Sequence, residues 1–322
     1  MQEERLLLSV FPVFTMGVCL TERCVFMQSR MKTIQPYLFL SPYFVLFVLF
    51  SLFPILYSFY ISFQKWDGFN DPQFIGLSNY TALLTDRSFF QALLNTFILI
   101  VIAIPLQLFT ALALAAVIKN FFTGRWGAAL KLIHFLPYIT TPVAVAILFQ
   151  IMFDWQAGSV NMLLQAIQPG SNPINWLGTV WGARFVIILL VYWKYFGYLM
   201  VIVFAGLSTI SEDIYEAASL DGASGRTVFF KITLPMLKPV ISFLVMTSII
   251  GGIQLFDEPK LLFANPLGGP DRTVMTIVMK FYEVSFSNFN FGYGSAMAYG
   301  TFVLMFVLSL LVLKLFNRGN KE

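Results

Sequence analysis

Charge and histidine are what this sequence has least of. Of its 322 residues only 11% are charged, and His134 is the single histidine. Soluble domains carry about 25% charged residues, so this composition excludes an ordinary soluble domain. A single histidine also excludes metal sites that are built on several histidines. We predict that His134 is a helix-packing or interfacial residue.

Two other common frameworks are missing. Cys19 and Cys24 are too few for a disulfide framework and lack the spacing partners of a zinc site. Gly268, Gly269 and Pro270 predict a turn, but the Lys-Ser/Thr pair of a phosphate-binding loop does not follow them. We therefore expect no metal, no cofactor and no ATP to be bound by this chain, and no chemistry to be performed by it.

Long apolar runs are what the sequence has in abundance. Apolar residues make up 58% of it, and the mean hydropathy is +0.78. Each run is about as long as the ~20 residues that cross a bilayer, and none alternates as a barrel strand does. The sequence therefore predicts an all-α, polytopic membrane helix bundle with six transmembrane helices, at residues 38–63, 93–118, 130–153, 184–207, 239–257 and 293–316. Four prolines inside these runs are expected to kink helices rather than end them: Pro54, Pro105, Pro137 and Pro142.

The distribution of cations between the connecting segments predicts the orientation. Cationic loops near helix ends tend to stay in the cytoplasm. One alternate set of segments holds thirteen Lys and Arg residues and the other holds six, whereas acidic residues divide evenly. Both termini and the segment around Glu216 are therefore predicted to be cytoplasmic, and residues 64–92, 154–183 and 258–292 are predicted to face outward.

The first thirty residues do not fit this plan. Their apolar stretch at 6–20 is too short for a span and resembles the apolar part of a signal peptide, yet no convincing cleavage site follows. We predict that residues 1–26 or 1–30 are an upstream extension, so that the working chain begins at Met27 or at Met31. An extra membrane segment and a signal peptide remain alternatives. Residues 31–322 are predicted to form one transmembrane domain.

A polar stretch, EAASLDGASGRTVFFKITLPMLKP, interrupts the apolar sequence from Glu216 to Pro239. Acidic residues suit the first turns of a helix that Thr209 or Ser211 could cap, and Gly222 is a natural place for that helix to stop. A second helix could run from Ser224 to Ile232, after which two prolines, Pro235 and Pro239, are expected to prevent its continuation. The pattern predicts two short helices joined at a glycine, an elbow on the cytoplasmic face.

The elbow carries a family resemblance. EAASLDGAS followed by ITLP resembles the EAA loop of binding-protein-dependent ABC importers. The matching residues are Glu216, Ala217, Ala218, Gly222, Ile232, Leu234 and Pro235. Segments at 193–218, 253–273 and 291–300 are similar to the carbohydrate-type permeases of that class. The resemblance covers about residues 35–316.

The resemblance implies a role for the elbow and a set of partners. In such importers the EAA loop docks in a cleft of a cytoplasmic ATPase, which implies ATPase coupling for the seven matching residues and for Asp221. Glu216 would pair with a cation on the ATPase, and the two alanines would allow close approach. The implied partners are a second permease subunit, an ATP-binding cassette ATPase dimer, an extracytoplasmic sugar-binding protein and membrane lipid, with no nucleic acid. ATP and Mg²⁺ would be bound by the partner ATPases.

A substrate path is expected near the middle of the fourth run. Lys194 is an ionisable group at membrane depth, so it either faces a cavity or pairs with a carbonyl or carboxylate. Tyr195 and Tyr198 offer ring faces on which sugars could stack, although packing or lipid contact is the alternative. Gln254 and Asp257, together with Asn265, either bind substrate hydroxyls or cap a loop.

The most favoured function is a permease subunit of an ABC importer that moves a sugar or oligosaccharide by alternating access. A permease for amino acids, phosphate or a polyol phosphate is the main alternative. An ion-coupled secondary transporter would need intramembrane acidic or histidine relays, and the spans offer only Lys194 and, near an end, Asp257. A membrane-embedded hydrolase would need a nucleophile and a base, which a lone His134 does not favour.

Overall fold

The computed structural model describes residues 37, 39–122, 124–263 and 267–317. The predicted extension at 1–30, with both cysteines, and Asn265 lie outside the described residues. The chain divides into two compact units, residues 1–58 and residues 59–322. The predicted boundary after residue 30 stays a prediction.

The described residues of both units are mainly helical. In the first unit the described chain is the greater part of helix α1, Phe39–Ile61. The remaining elements follow in this order: β1 (Gln64–Lys65), β2 (Gln73–Phe74), α2 (Ser78–Thr85), α3 (Arg87–Phe121), α4 (Gly124–Ile139), α5 (Pro142–Met152), α6 (Ser159–Ile167), α7 (Val180–Ser208), α8 (Glu212–Leu220), α9 (Gly225–Met236), α10 (Lys238–Ile253), α11 (Asp257–Leu262), a 3-10 turn (Pro270–Arg272), α12 (Ile277–Tyr282) and α13 (Phe291–Asn317). The two short strands form an antiparallel hairpin in which Gln64 pairs with Phe74.

The all-α membrane bundle is confirmed, with one refinement. Four helices, α1, α3, α7 and α13, are long and apolar enough to cross a membrane by themselves. Two helix pairs pass the same test only when their two helices are taken together, and each pair is bent at a break: α4 with α5, at 95°, and α9 with α10, at 63°. If each pair is counted as one span, the part of the chain that the structure describes has up to six crossings. The third predicted span is therefore a broken helix, whereas the bend of the second pair, at Leu237, lies just before the predicted start of the fifth span at residue 239.

The prolines act in three different ways. Pro105 lies inside the continuous helix α3 and Pro137 inside α4, as predicted. Pro142 begins a new helix rather than kinking an old one, because Thr141 caps α5 by accepting a hydrogen bond from the amide of Ala144. The prediction of a simple kink at Pro142 was therefore wrong.

Pro54 and Pro235 are accommodated in a different way, by a local change in helix type. Each closely follows a π turn, Val48–Leu52 in the first case and Phe229–Thr233 in the second. A proline ring clashes with the carbonyl four residues earlier in an α-helix, and it has no N–H to donate. A π turn bonds to the fifth residue back, so it widens the helix where the ring needs space. The helix therefore continues through Pro235, and the prediction that it ends before that residue was wrong.

The core of the second unit is built on α3 and α7, which pack along each other. Small side chains such as Ala111 and Ala115 are fully buried on α3, beside Met200 and Val203 of α7. Small residues let two helix backbones approach closely, which is how spans pack where lipid removes the hydrophobic drive.

Helix α4 comes still closer to α7. A Cβ added at Gly197 would lie within 2 Å of the carbonyl oxygen of His134, at 1.7 Å. The His134 ring meets Phe196 edge-on at 5.6 Å, and its Nδ1 is 2.7 Å from the carbonyl oxygen of Leu130. The structure thus places His134 at a helix contact, in the packing role predicted for it.

At the predicted outer ends of α3 and α7, polar side chains fasten the loop that follows α11. Asn95 donates to the carbonyl of Arg272 at 2.8 Å, and Arg184 donates to the Asn95 side-chain oxygen. Glu283 pairs with Arg272 and with Lys280. Burial alone would raise the pKa of Glu283, but hydrogen bonds from both cations outweigh it and hold the pKa below its ordinary value. This carboxylate therefore stays ionised and keeps the loop attached.

The close α4–α7 contact generates a stability prediction. We expect Gly197→Ala to lower the free energy of unfolding by about 1–3 kcal/mol, because the new methyl group must push α4 away from α7. The measurement is thermal unfolding of the purified protein in detergent. Gly251→Ala is the matched control, since that helical glycine has open space around its Cβ position. Equal melting temperatures for the two variants would contradict the contact.

Candidate coupling elbow and membrane cavity

The first helix of the elbow, α8, begins and ends as its sequence predicts. Ser211 is the N-cap, and its hydroxyl accepts from the amide of Asp213 at 3.3 Å. Thr209, the other candidate cap, donates instead to the carbonyl of Gly206. The helix ends at Leu220, and Gly222 takes φ +71°, a conformation that favours glycine. The elbow therefore turns at the predicted residue.

The second helix, α9, is capped by Ser224 and runs beyond its predicted end at Ile232 to Met236. The chain then bends by 63° and continues as α10. Leu237, at the bend, is buried among the ends of neighbouring helices. The elbow is therefore continuous with α7 on one side and with α10 on the other.

A lysine that sequence reasoning did not single out fastens the elbow to the bundle. Lys119, near the end of α3, donates to the carbonyl of Leu207 at 2.6 Å. Its ammonium group lies 5.0 Å from the ring centroid of Tyr215 on α8. The Thr233 hydroxyl donates to the Tyr215 hydroxyl at 3.3 Å, which joins α9 to the same set. Lys119 thus connects α3, α7 and both helices of the elbow.

The predicted coupling residues divide into exposed and internal ones. Glu216, Ala217, Asp221 and Pro235 are exposed. Ala218 is only 8% exposed and belongs to the chain's own core, so Ala217 is the alanine available to a partner surface. Ile232 and Leu234 are half-buried. Only part of the motif can therefore meet another protein directly.

Between the elbow and the helix ends lies a pocket of about 500 Å³. Two carboxylates, Glu212 and Glu216, line it together with Phe229 and Lys119. Because Lys119 is already engaged with Leu207 and Tyr215, the pocket offers acidic groups to an incoming side chain. A cation or a cationic helix end would suit it.

A second cavity, of about 260 Å³, lies between α3, α7 and α10. Its polar lining consists of hydroxyls and one amide: Gln107, Tyr138, Tyr195, Tyr198, Thr247 and Ser248. The other lining residues are aliphatic or glycine. Among the residues that the structure describes, no charged side chain lines this cavity.

Three tyrosines form one wall of the cavity. Tyr138 and Tyr198 stack with ring centroids 4.5 Å apart, and Tyr138 meets Tyr195 at 6.0 Å, nearly edge-on. Of the predicted path residues, Tyr195 and Tyr198 therefore lie on the cavity. Gln254 and Asp257 are exposed and do not line it.

Lys194 has a carboxylate partner, one of the two alternatives left open for it. Its ammonium group is 2.5 Å from Oε1 of Glu258, and both residues are 4% exposed. The Tyr195 hydroxyl donates to the same oxygen at 2.9 Å. Sequence reasoning chose Asp257 and missed Glu258, although a lysine at membrane depth signals that a buried acid must lie nearby.

The helix break beside the cavity brings Glu258 into place. Helix α10 ends at Ile253, and the chain resumes as α11 at Asp257, with Leu255 of the break on the cavity wall. Gln150 on α5 donates to the carbonyls of Leu261 and Leu262, both at 3.1 Å. Irregular backbone at membrane depth is tolerated where it is covered by protein or lines a cavity. Both conditions are met here.

The described part of the chain contains no group of three or more His, Cys, Asp or Glu residues that could hold a metal ion. What the geometry offers is a hydroxyl-rich cavity among broken helices and, at the other end of the same helices, a rigid elbow with an acidic pocket.

Solved structures share this architecture. The crystal structure of a bacterial ABC transporter that imports the acidic polysaccharide alginate matches with a TM-score of 0.77 and 22% identity, over 91% of this chain and 98% of that one. A crystal structure of a bacterial alginate ABC transporter in complex with an alginate pentasaccharide-bound periplasmic protein matches with a TM-score of 0.77 and 23% identity, over 90% of this chain and 98% of that one. At such identities the match establishes the fold.

Similar sequences point to the same class of protein. The lactose transport system permease protein LacF of Rhizobium radiobacter is 37% identical over 88% of this chain and 94% of its own length. The probable ABC transporter permease protein YurN of Bacillus subtilis is 34% identical over 90% and 98%, and the arabinooligosaccharide permease AraP of the same organism is 33% identical over 88% and 89%. The family profile of binding-protein-dependent transport system inner membrane components matches residues 74–320. The broken spans, the elbow and these relatives agree, and the chain belongs to that family of multi-pass ABC-importer permeases.

Proposed function

We propose that this permease carries a neutral sugar or oligosaccharide, by alternating access that separate ATPase subunits drive. The observation that carries the choice of substrate is the cavity between α3, α7 and α10. Its described lining holds hydroxyls, an amide and three tyrosine rings, with no charged group. Sugars are recognised by such hydroxyl and amide groups and by aromatic faces. Relatives named for lactose and arabinooligosaccharides support the same class.

The competing substrates fit this lining less well. An amino acid, phosphate or polyol phosphate would bring formal charge into a site of low dielectric, where an unpaired charge is costly. The buried Lys194 and Glu258 neutralise each other and do not line the cavity. For an ion-coupled mechanism, Glu258 is the buried acid that sequence reasoning lacked, but it is engaged by a lysine and a tyrosine. A carboxylate held in this way is a poor proton relay.

The elbow is the proposed point of contact with the ATPase. Glu216 and Ala217 are exposed, and Glu216 lines the acidic pocket, so a cationic side chain of the ATPase would pair with it there. Movement of the elbow would pass into α7 and α10, which are joined to it and line the cavity. The contacts of Lys119 with Leu207 and Tyr215 would make these parts move together. ATP-driven closure of the ATPase subunits would thus change the shape of the cavity.

The proposed assembly follows from these surfaces. A second permease would complete a pathway of which this chain forms one half. Two copies of an ATPase, which bind ATP and Mg²⁺, would dock at the elbows, and a sugar-binding protein would deliver substrate outside. Both termini and the elbow would lie in the cytoplasm of a cell whose inner membrane holds the complex.

Charge reversal at the elbow tests the coupling role. We expect Glu216→Lys to reduce uptake by roughly 30-fold or more while the chain still inserts, because a cation would then face a cation across the docking surface. The uptake rate of Glu216→Gln should lie between those of the original protein and Glu216→Lys. The measurement is substrate uptake by membrane vesicles that contain the whole importer.

Asp213→Lys is the matched control, because it makes the same charge change on α8 at an exposed residue that does not line the pocket. It should retain most of the uptake. Normal uptake by Glu216→Lys, with ATPase bound, would remove Glu216 from the coupling site.

The substrate class is tested by a panel of liganded binding proteins. We expect a neutral oligosaccharide to stimulate ATPase activity most, and Tyr198→Ala to raise its KM about fivefold to tenfold through loss of a stacking face. Phe109→Ala is the control, since Phe109 is 72% exposed on α3 and does not line the cavity. Preferential stimulation by an amino acid or a phosphorylated solute would contradict the proposed sugar specificity.

A further inference from the structure

A buried ion pair stands directly behind the cavity wall. Lys194 lies at the midpoint of α7, and Glu258 reaches it from α11. Both residues are almost fully buried, and neither lines the cavity. Tyr195, the neighbour of Lys194 in the chain, does line it and donates its hydroxyl proton to Glu258.

An ion pair is an expensive way to join two helices in a membrane. Removing two charges from water costs more than their attraction often returns, and apolar residues of similar volume can replace such pairs without loss of stability. Helix α11 is also already attached to α5 by the two hydrogen bonds from Gln150. Attachment alone therefore does not account for Lys194 and Glu258.

What the carboxylate does in addition is to fix the tyrosine. A phenol has one O–H to donate, and in Tyr195 it points to Glu258 Oε1 at 2.9 Å. The ammonium group of Lys194 lies 2.5 Å from that same oxygen, and hydrogen bonds to a carboxylate paired with a cation are short and strong. The edge contact with Tyr138 limits the orientation of the ring from the other side. The Tyr195 oxygen can then only accept a hydrogen bond from the cavity.

We propose that Lys194 and Glu258 are a positioning pair that makes Tyr195 an acceptor-only contact, which selects a sugar hydroxyl that donates. The proposal rests on the proposed function and adds a rule of recognition to it. A solute group that can only accept, such as an ether oxygen or fluorine, would gain nothing at Tyr195. Tyr195 would thereby recognise one hydroxyl of the transported sugar because that hydroxyl can donate a hydrogen bond.

A double-mutant cycle tests whether the pair acts through Tyr195. The neutral pair Lys194→Met with Glu258→Leu removes both charges together, so no unpaired charge is left buried. We expect it to raise the KM for the best sugar about tenfold, with maximal uptake within about twofold of the original. Tyr195→Phe should have a similar effect, and the triple variant should be no worse than Tyr195→Phe alone.

A merely structural pair gives a different pattern. The effects of the neutral pair and of Tyr195→Phe would then multiply, and maximal uptake would fall together with the amount of assembled importer. That pattern, or an unchanged KM for the neutral pair, overturns the proposal. If no neutral sugar drives uptake by the unaltered importer, the proposed function itself has failed.

The unaltered importer provides a second test that does not depend on variants. In a series of analogues with single hydroxyls replaced, fluorine keeps an acceptor but removes the donor. At one position of the sugar, we expect the fluoro analogue to raise KM as much as the deoxy analogue does. If every fluoro analogue keeps the KM of the parent sugar, Tyr195 does not select a donor and the proposal is wrong.

Discussion

Everything in this fold depends on one constraint: a backbone in lipid must satisfy its own hydrogen bonds. The constraint makes the spans helical, and it explains where they are allowed to break. The π turn before Pro54, inside the apolar helix α1, accommodates a residue that has no N–H, and the helix continues. The break between α10 and α11 lies where Leu255 lines the cavity and where the Thr276 hydroxyl donates to the carbonyl of Leu255 at 2.8 Å. At the break between α10 and α11, the irregular backbone is thus both covered by another group and part of the cavity wall.

The same broken helices link the two proposed ends of the mechanism. The elbow is continuous with α7 and α10, and both helices line the cavity. Lys119 holds α3, which also lines the cavity, to the elbow through Leu207 and Tyr215. A force applied at Glu216 would therefore reach these three helices of the cavity wall through covalent continuity and short polar contacts. The bend at Leu237 is where the direction of that force changes.

Sequence reasoning could predict the fold class, the number of apolar runs and the elbow, because each depends on local signals: run length, capping residues and a glycine at positive φ. It failed where the answer depends on packing between distant segments. Nothing local distinguishes Glu258 from Asp257, yet only Glu258 meets Lys194, because α11 begins after a helix break. Likewise the sequence does not distinguish Ala217 from Ala218. Only the packing of α8 against the bundle shows that the Ala218 side chain is buried. In the sequence Lys119 is one of many predicted cytoplasmic cations, and only the structure shows that it lies beside the end of α7.

Motion of the elbow is proposed to change the cavity, and thiol labelling of a cavity residue can detect that change. Ser248, which lines the cavity, is replaced by cysteine in a chain in which Cys19 and Cys24 have been replaced by serine. The rate at which a thiol reagent added outside labels this cysteine is then measured in the assembled importer, with and without a non-hydrolysable ATP analogue. We expect the ATP analogue to accelerate labelling of the introduced cysteine when Lys119 is intact and when it is replaced by arginine. In the Lys119→Met variant we expect no acceleration, although all three importers bind the analogue equally. Accelerated labelling of the Lys119→Met variant would contradict this proposal.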